Sequence, residues 1–192
     1  QRQWVSPEGN VYLSTLLNLR TPVDGRLALE IALNILQMPS LRQLNLQVKW
    51  PNDLYSPQGK WGGILIEPLS TQQVIVGVGI NLAPIPAEQI DQHATSLAEL
   101  GLNDVSRIQL IAELYLAIQQ AQKWFNHNSY QLASRFNHHA AFQQQPVEFE
   151  HHGGVAQGLF LGIQDDGAIQ IETASGVEVF YQGRLRPQMP GQ

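Results

Sequence analysis

Three short runs concentrate the residue types that do chemistry: Lys49-Trp50-Pro51-Asn52-Asp53-Leu54, Gly59-Lys60-Trp61-Gly62-Gly63-Ile64-Leu65 and Gly77-Val78-Gly79-Ile80-Asn81. Lysines, a carboxylate and carboxamides lie there among glycines, which let a ligand or a second backbone come close. An ammonium such as that of Lys60, beside Gly62 and Gly63, could neutralise a carboxylate or a phosphate. Pro51 fixes its own φ and biases Trp50 toward extended geometry, which predicts that Asn52 and Asp53 stand on a turn just past a strand edge. Each piece alone has an ordinary structural explanation: Trp-Pro packs in cores, Asn-Asp makes Asx-turns and paired glycines mark bulges. Gly77-Val78-Gly79 lacks the third glycine and the following helix of a dinucleotide fingerprint, so a Rossmann site is rejected.

Other chemistries are disfavoured by composition and spacing. The 192 residues include no cysteine, which removes thiol nucleophiles, thiolate metal sites and disulfides, and permits a reducing cytoplasm. His138-His139 and His151-His152 suggest a metal, but neighbours on a strand point to opposite faces, so these are expected to be surface or turn histidines. Asp165-Asp166-Gly167 fits a hairpin turn better than a calcium loop, whose full spacing is missing. A net charge of -5 with 11 scattered Lys and Arg gives no basic stripe for nucleic acid. No apolar run approaches the ~20 residues of a membrane span and the first residues do not resemble a signal peptide, so a cytoplasmic location is expected.

The elements that must position these runs follow from periodicity. Asn10 to Leu19 reads as a half-buried strand, and Arg26 to Met38 carries Leu27, Ile31, Ile35 and Met38 at helical spacing. Strands are predicted from Leu44 into Lys49, over Gly63 to Glu67 and over Val74 to Ile80. Ser106 should cap a helix running to about His127, with Ile108, Ile111, Ala112, Tyr115, Ile118 and Ala121 on its inner face, and a second helix should follow near Tyr130 to Asn137. From Phe142 onward, short strands are punctuated by His152-Gly153-Gly154, Asp165-Asp166-Gly167 and Ala174-Ser175-Gly176. The expected fold is α+β: a mixed sheet packed with helices over residues 1–139, then a small β-barrel over residues 140–192.

Taken in order, the three runs resemble the signature of biotin protein ligases: a Lys-Trp-Pro-Asn-Asp turn, a Lys-x-x-Gly-Ile-Leu strand start and a Gly-x-Gly-Ile-Asn strand end. Upstream, Arg2-Gln3-Trp4 and Ser6-Pro7-Glu8-Gly9 resemble the end of that family's Arg- and Gly-rich ligand loop. Downstream, the β module resembles its SH3-like C-terminal domain, so the likeness covers nearly the whole chain. The fold implied is the class II synthetase/biotin-lipoate ligase type. The family's first segment, a Ser-Thr-Asn turn and a Gly-Arg-Gly stretch, has no counterpart before Gln1, which implies a chain lacking that segment, and no winged helix implies no repressor function.

The activity implied by the resemblance is ATP-dependent. Biotin's carboxylate attacks the α-phosphate of ATP to give biotinyl-adenylate and pyrophosphate, and a lysine of the biotin carboxyl carrier protein of acetyl-CoA carboxylase then attacks the activated carbonyl, releasing AMP. Lys60, Lys49 and Asp53 would be catalytic; Arg2, Trp4, Asn52, Lys60, Gly62, Gly63, Ile64, Leu65 and Asn81 would bind biotin and adenylate. The apolar run Ile64 to Ile66 would wall the biotin ring and chain. No direct protein ligand to a metal is expected, although Asp53 would either touch Mg2+ through water or orient the acceptor lysine. Neither nucleic acid nor membrane is an expected partner, and a homodimer is compatible with the sequence. Two other readings stand beside this one. A lipoate ligase or octanoyl transferase of the related fold is disfavoured by Lys49–Asp53 and Lys60–Leu65; a non-catalytic biotin- or carrier-binding fragment is favoured by the missing first segment.

Overall fold

The computed structural model describes residues 9–84 and 94–188. Five strands form the first sheet: β1 (Val11–Asn18), β2 (Gln47–Lys49), β3 (Asp53–Ser56), β4 (Gly59–Pro68) and β5 (Gln73–Ile80), in the order β1-β5-β4-β3-β2. Neighbouring strands pair antiparallel, and isolated parallel bridges join Val48 to Ala140 and Lys60 to Ala94. Strand alternation sorts the side chains. Val11, Leu17, Leu54, Ile64, Val74, Val76, Val78 and Ile80 are buried on one face, while Leu16 and Leu65 of the other face are about half exposed.

Helices α1 (Arg26–Leu36) and α2 (Arg107–Asn126) cover the buried face and α3 (Leu132–Asn137) packs on α1, with a 3-10 turn at Pro39–Leu41. Ser106 caps α2 as expected, its Oγ accepting from Gln109 N–H at 3.0 Å. The inner face of α2 keeps Ile118 and Ala121 of the expected one, with Ile111 partly buried, but is completed by Leu110, Leu114, Ala117 and Phe125, whereas Ile108 and Tyr115 face solvent. Seating α2 against α1 selects the stripe led by Leu110 over the one led by Ile108. Glu30 of α1 is fully buried and is held by Arg135 of α3 through two hydrogen bonds of 2.9 and 2.6 Å; the Arg135 guanidinium also lies 4.2 Å over the Trp124 ring. The strand expected from Leu44 starts only at Gln47, because Leu44 and Leu46 donate to the turn carbonyls of Leu41 and Leu44.

The second sheet contains β6 (Pro146–His151), β7 (Gly154–Ile163), β8 (Ile169–Thr173), β9 (Gly176–Phe180) and β10 (Arg184–Pro187), in the order β10-β6-β7-β8-β9. Val147, Phe149, Phe160, Ile171 and Leu185 fill its core, and the three expected turn signals form its successive hairpin turns. Among the described residues no helix is long and apolar enough to cross a membrane.

Candidate active site

Lys49 ends β2 and Asp53 begins β3, and the two are direct cross-strand partners around the Trp50-Pro51-Asn52 turn. Asp53 therefore belongs to a strand, not to the turn expected for it. Its carboxylate is buried and accepts from two ammoniums, Lys60 Nζ at 2.5 Å on Oδ1 and Lys49 Nζ at 3.4 Å on Oδ2. Lys49 also lies over the Tyr55 ring at 5.9 Å; burial, helped by the Asp53 charge, pushes the Tyr55 phenol above its ordinary pKa and keeps it neutral.

A bulge explains why Lys60 joins this cluster. Asp53 pairs with Gly63 and Leu54 with Gly62, but Tyr55 pairs with Lys60, so Trp61 is the additional residue. In an uninterrupted strand Lys60 would point away from Gly63; the bulge turns it onto the same face as Gly63 and Asp53. Trp61 is buried instead, its indole N–H donating to Tyr55 O at 2.7 Å.

The same face carries a groove of about 220 Å3 lined by Tyr12, Ser14, Gly63, Leu65, Gly77 and Gly79. Antiparallel register stacks Tyr12, Gly79 and Gly63 in one row across three strands, and Ser14, Gly77 and Leu65 in the next. Glycine at Gly63, Gly77 and Gly79 leaves the floor open, and Gly63 adjoins Asp53 directly. An apolar groove that runs up to two ammoniums braced by one carboxylate suits an elongated apolar acid whose charged end must be neutralised.

Several sequence-derived site residues do other work. Ile64 is 2% exposed and faces the helices, so of the expected apolar wall only Leu65 lines the open side. Gly62 also faces inward: a Cβ there would stand 2.6 Å from Gly79 O and 3.0 Å from Leu54 Cδ1, so this glycine allows strand packing and not ligand approach. Asn52 prolongs the β3–β4 pairing, its Nδ2 donating to Ile64 O at 2.7 Å while Ile64 N–H donates back to Asn52 O. Asn81 holds the returning chain, its Nδ2 donating to Thr95 O at 3.1 Å and its carbonyl accepting from Leu97 N–H. Arg2 and Trp4 lie outside the described residues.

The sequence profile of the Biotin/lipoate A/B protein ligase family matches residues 1–81, and that of the Biotin protein ligase C terminal domain matches residues 145–184. A biotin--[acetyl-CoA-carboxylase] ligase of Paracoccus denitrificans is 32% identical over 95% of this chain and 84% of its own length. The chain belongs to the biotin protein ligase family. The bifunctional ligase/repressor BirA of Escherichia coli is 30% identical over the whole chain, which spans 60% of that relative's length. A biotin protein ligase from Aquifex aeolicus, solved in complex with biotin and ATP, superposes with a TM-score of 0.85 at 28% identity, covering 97% of this chain and 82% of that one.

Within this biotin protein ligase fold, sequence reasoning missed Tyr12, Ser14, Gly77 and Gly79 as groove residues, although the alternation of Asn10 to Leu19 already placed Tyr12 and Ser14 together on one face. It also missed Thr95 and Ser96, both buried, where Thr95 N–H donates to Lys60 O at 2.9 Å and Ser96 Oγ donates to Glu99 at 2.8 Å. Ser96-x-x-Glu99 carries the capping-box spacing that could have revealed this turn. Of the histidine pairs, His138 and His152 are exposed as expected, whereas His139 and His151 are half-buried and His151 belongs to β6; among the described residues there is no group of three or more metal-ligating side chains.

Proposed function

We propose that this chain activates biotin with ATP as biotinyl-adenylate and transfers the biotinyl group to a lysine of a biotin carboxyl carrier protein. The observation that carries this reading is the Lys49–Asp53–Lys60 cluster at the end of the glycine-floored groove. The groove would take the apolar ring and chain of biotin, with Leu65 and Tyr12 as walls and the ring floor over Gly63, Gly77 and Gly79. The carboxylate would then point toward Lys60.

The first step brings a carboxylate up to a phosphate, two anions that repel unless fixed positive charge lies between them. Two ammoniums are gathered on the one Asp53 carboxylate. Asp53 holds both lysines in place before substrates arrive, so their reorganisation during the reaction is small. Lys60, at the groove end, is assigned the charge on the reacting phosphate, and Lys49 supports it. In the second step the neutral amine of the acceptor lysine attacks the activated carbonyl and AMP leaves, with Asp53 assigned to orient that amine.

The Asp53 carboxylate already accepts from two lysines, which does not fit direct ligation of Mg2+. No step is therefore assigned to protein-bound metal; Mg2+ would accompany the nucleotide phosphates. The functional division is placed at residues 139/140, and the need for ATP argues for the cytoplasm. The decisive assay is biotin-dependent exchange of pyrophosphate into ATP, in the parent and in Lys60→Ala, with lipoate and octanoate as competing acids. Exchange with biotin that is lost in Lys60→Ala supports the reading; exchange driven by lipoate or octanoate would transfer the chain to the related acyl ligases, and biotin binding without exchange would make it a binding fragment.

A further inference from the structure

The strand that carries Lys49 is poorly anchored by its own sheet. β2 has three residues and lies at the sheet edge, and the Trp50-Pro51-Asn52 turn that follows joins it to its single neighbour, β3. The missing support comes from the second sheet and the chain leading into it. Val48 N–H donates to His139 O at 2.8 Å, and Ala141 N–H donates to Val48 O at 2.9 Å. On the turn itself, the Trp50 indole N–H donates to Gly167 O at 3.0 Å, and its ring packs 5.6 Å from that of Phe149.

Gly167 closes the Asp165-Asp166-Gly167 turn between β7 and β8, and this turn is tied to the first domain at two other places. Asp165 Oδ1 accepts from Ala133 N–H at the start of α3 at 2.9 Å. Gly167 adopts φ +87°, and a Cβ there would come within 3.3 Å of Arg26 Cγ and Leu29 Cδ1 of α1. The turn whose carbonyl receives the Trp50 indole is thus bonded to α3 and packed against α1, the helix on which the first sheet rests. Trp50 is 3% exposed and lies between Lys49 and Asp53 in sequence, yet its polar atom points to the C-terminal domain.

We propose that the C-terminal domain sets the placement of the Lys49–Asp53 hairpin through the Trp50–Gly167 hydrogen bond, which makes Trp50 a positioning residue. The inference rests on the ligase reading for its kinetic consequence, but not for its structural one. A merely packed tryptophan would contribute to stability alone. A positioning tryptophan governs how well the two charged residues beside it are held.

The test compares three variants of the intact protein. Trp50→Phe keeps a ring against Phe149 but removes the donor, and Gly167→Ala displaces the acceptor from the opposite side. Thr173→Val is the control, since it removes the Thr173 hydroxyl bonds to Gly176 and Glu178 in the β8–β9 hairpin of the same domain, not in the turn that bears Gly167. Amide exchange is read at Ile64, whose N–H donates to Asn52 O in the turn, and at Val76 on β5 as reference. Loss of one buried hydrogen bond predicts roughly tenfold faster exchange at Ile64 relative to Val76 in Trp50→Phe and Gly167→Ala, and no relative change in Thr173→Val. Biotinylation kcat should fall by about the same factor with the KM for biotin unchanged, because the groove is built on β1, β4 and β5. Equal exchange changes at Ile64 and Val76, or a raised biotin KM with kcat intact, would overturn the proposal. Should the parent fail to ligate biotin, the proposed function falls and the exchange ratio still decides the role of Trp50; should Trp50→Phe fail to fold, Gly167→Ala carries the same comparison.

Discussion

Alanine at Gly62 and at Gly77 puts the same methyl group on opposite faces of one sheet, and the structure predicts opposite results. At Gly62 the new Cβ would meet Gly79 O at 2.6 Å and Leu54 Cδ1 at 3.0 Å, and the first of these is backbone that cannot rotate away. Overpacking of this kind costs about 1–3 kcal/mol. For a chain of this length each kcal/mol moves the Tm by about 2–4 °C, so Gly62→Ala should melt roughly 2–12 °C below the parent. At Gly77 the nearest atoms are Leu65 Cβ at 3.7 Å and Ser14 Oγ at 3.9 Å, which is ordinary contact. Removing glycine from the unfolded chain stabilises by about 0.4–1 kcal/mol, so Gly77→Ala should melt at or slightly above the parent. Its methyl, however, occupies the groove floor, and biotin affinity should fall about tenfold or more. Thermal unfolding and calorimetric titration with biotin read both effects in the same samples. A Gly62→Ala protein as stable as the parent, or a Gly77→Ala protein that binds biotin as well as the parent, would refute the assignment of the two faces.

Three further predictions concern the scaffold. Arg135→Met leaves the Glu30 carboxylate buried without its guanidinium and should cost about 3–5 kcal/mol in denaturant unfolding, far more than a surface ion pair. Ser106→Ala removes the α2 cap and should cost about 1 kcal/mol, or about 2–4 °C in Tm. Burial, reinforced by His138, holds the His139 imidazole below its ordinary pKa, so the unfolded chain takes up this proton first as pH falls. Stability should therefore decline as pH drops below the unfolded value of about 6.5, level off below the folded value, and lose that component of its pH dependence in His139→Gln.

The reach of the sequence differed between elements for physical reasons. Ser106, the α1 periodicity and the turn triplets of the second sheet carry their information locally, and each stands where it was expected. The cluster Lys49–Asp53–Lys60 was legible as a set of residue types, but its geometry was not. Lys60 reaches Asp53 because Trp61 is inserted as a bulge, and nothing local distinguishes that from an unbroken strand in which Lys60 points elsewhere. β3 is four residues long, and its first residue, Asp53, was expected on a turn because Pro51-Asn52 dominates the local pattern. The face of α2 was legible at Ile118 and Ala121 but not at Ile108 and Tyr115, because several apolar stripes compete on that helix and only packing on α1 chooses between them. Ile64 and Leu65 are equally apolar in sequence, and the parity of β4 alone separates core from groove.

Lys60, braced by Asp53, is proposed to supply the charge that lets biotin's carboxylate meet the α-phosphate of ATP. Biotin-dependent pyrophosphate exchange, measured side by side in the parent and in Lys60→Ala with thermal unfolding of both, tests it most directly. Exchange is expected in the parent, at least tenfold slower exchange in the variant, and cooperative unfolding in both, since Asp53 keeps Lys49 as a partner when the Lys60 ammonium is removed. Equal exchange rates in the two proteins would contradict it.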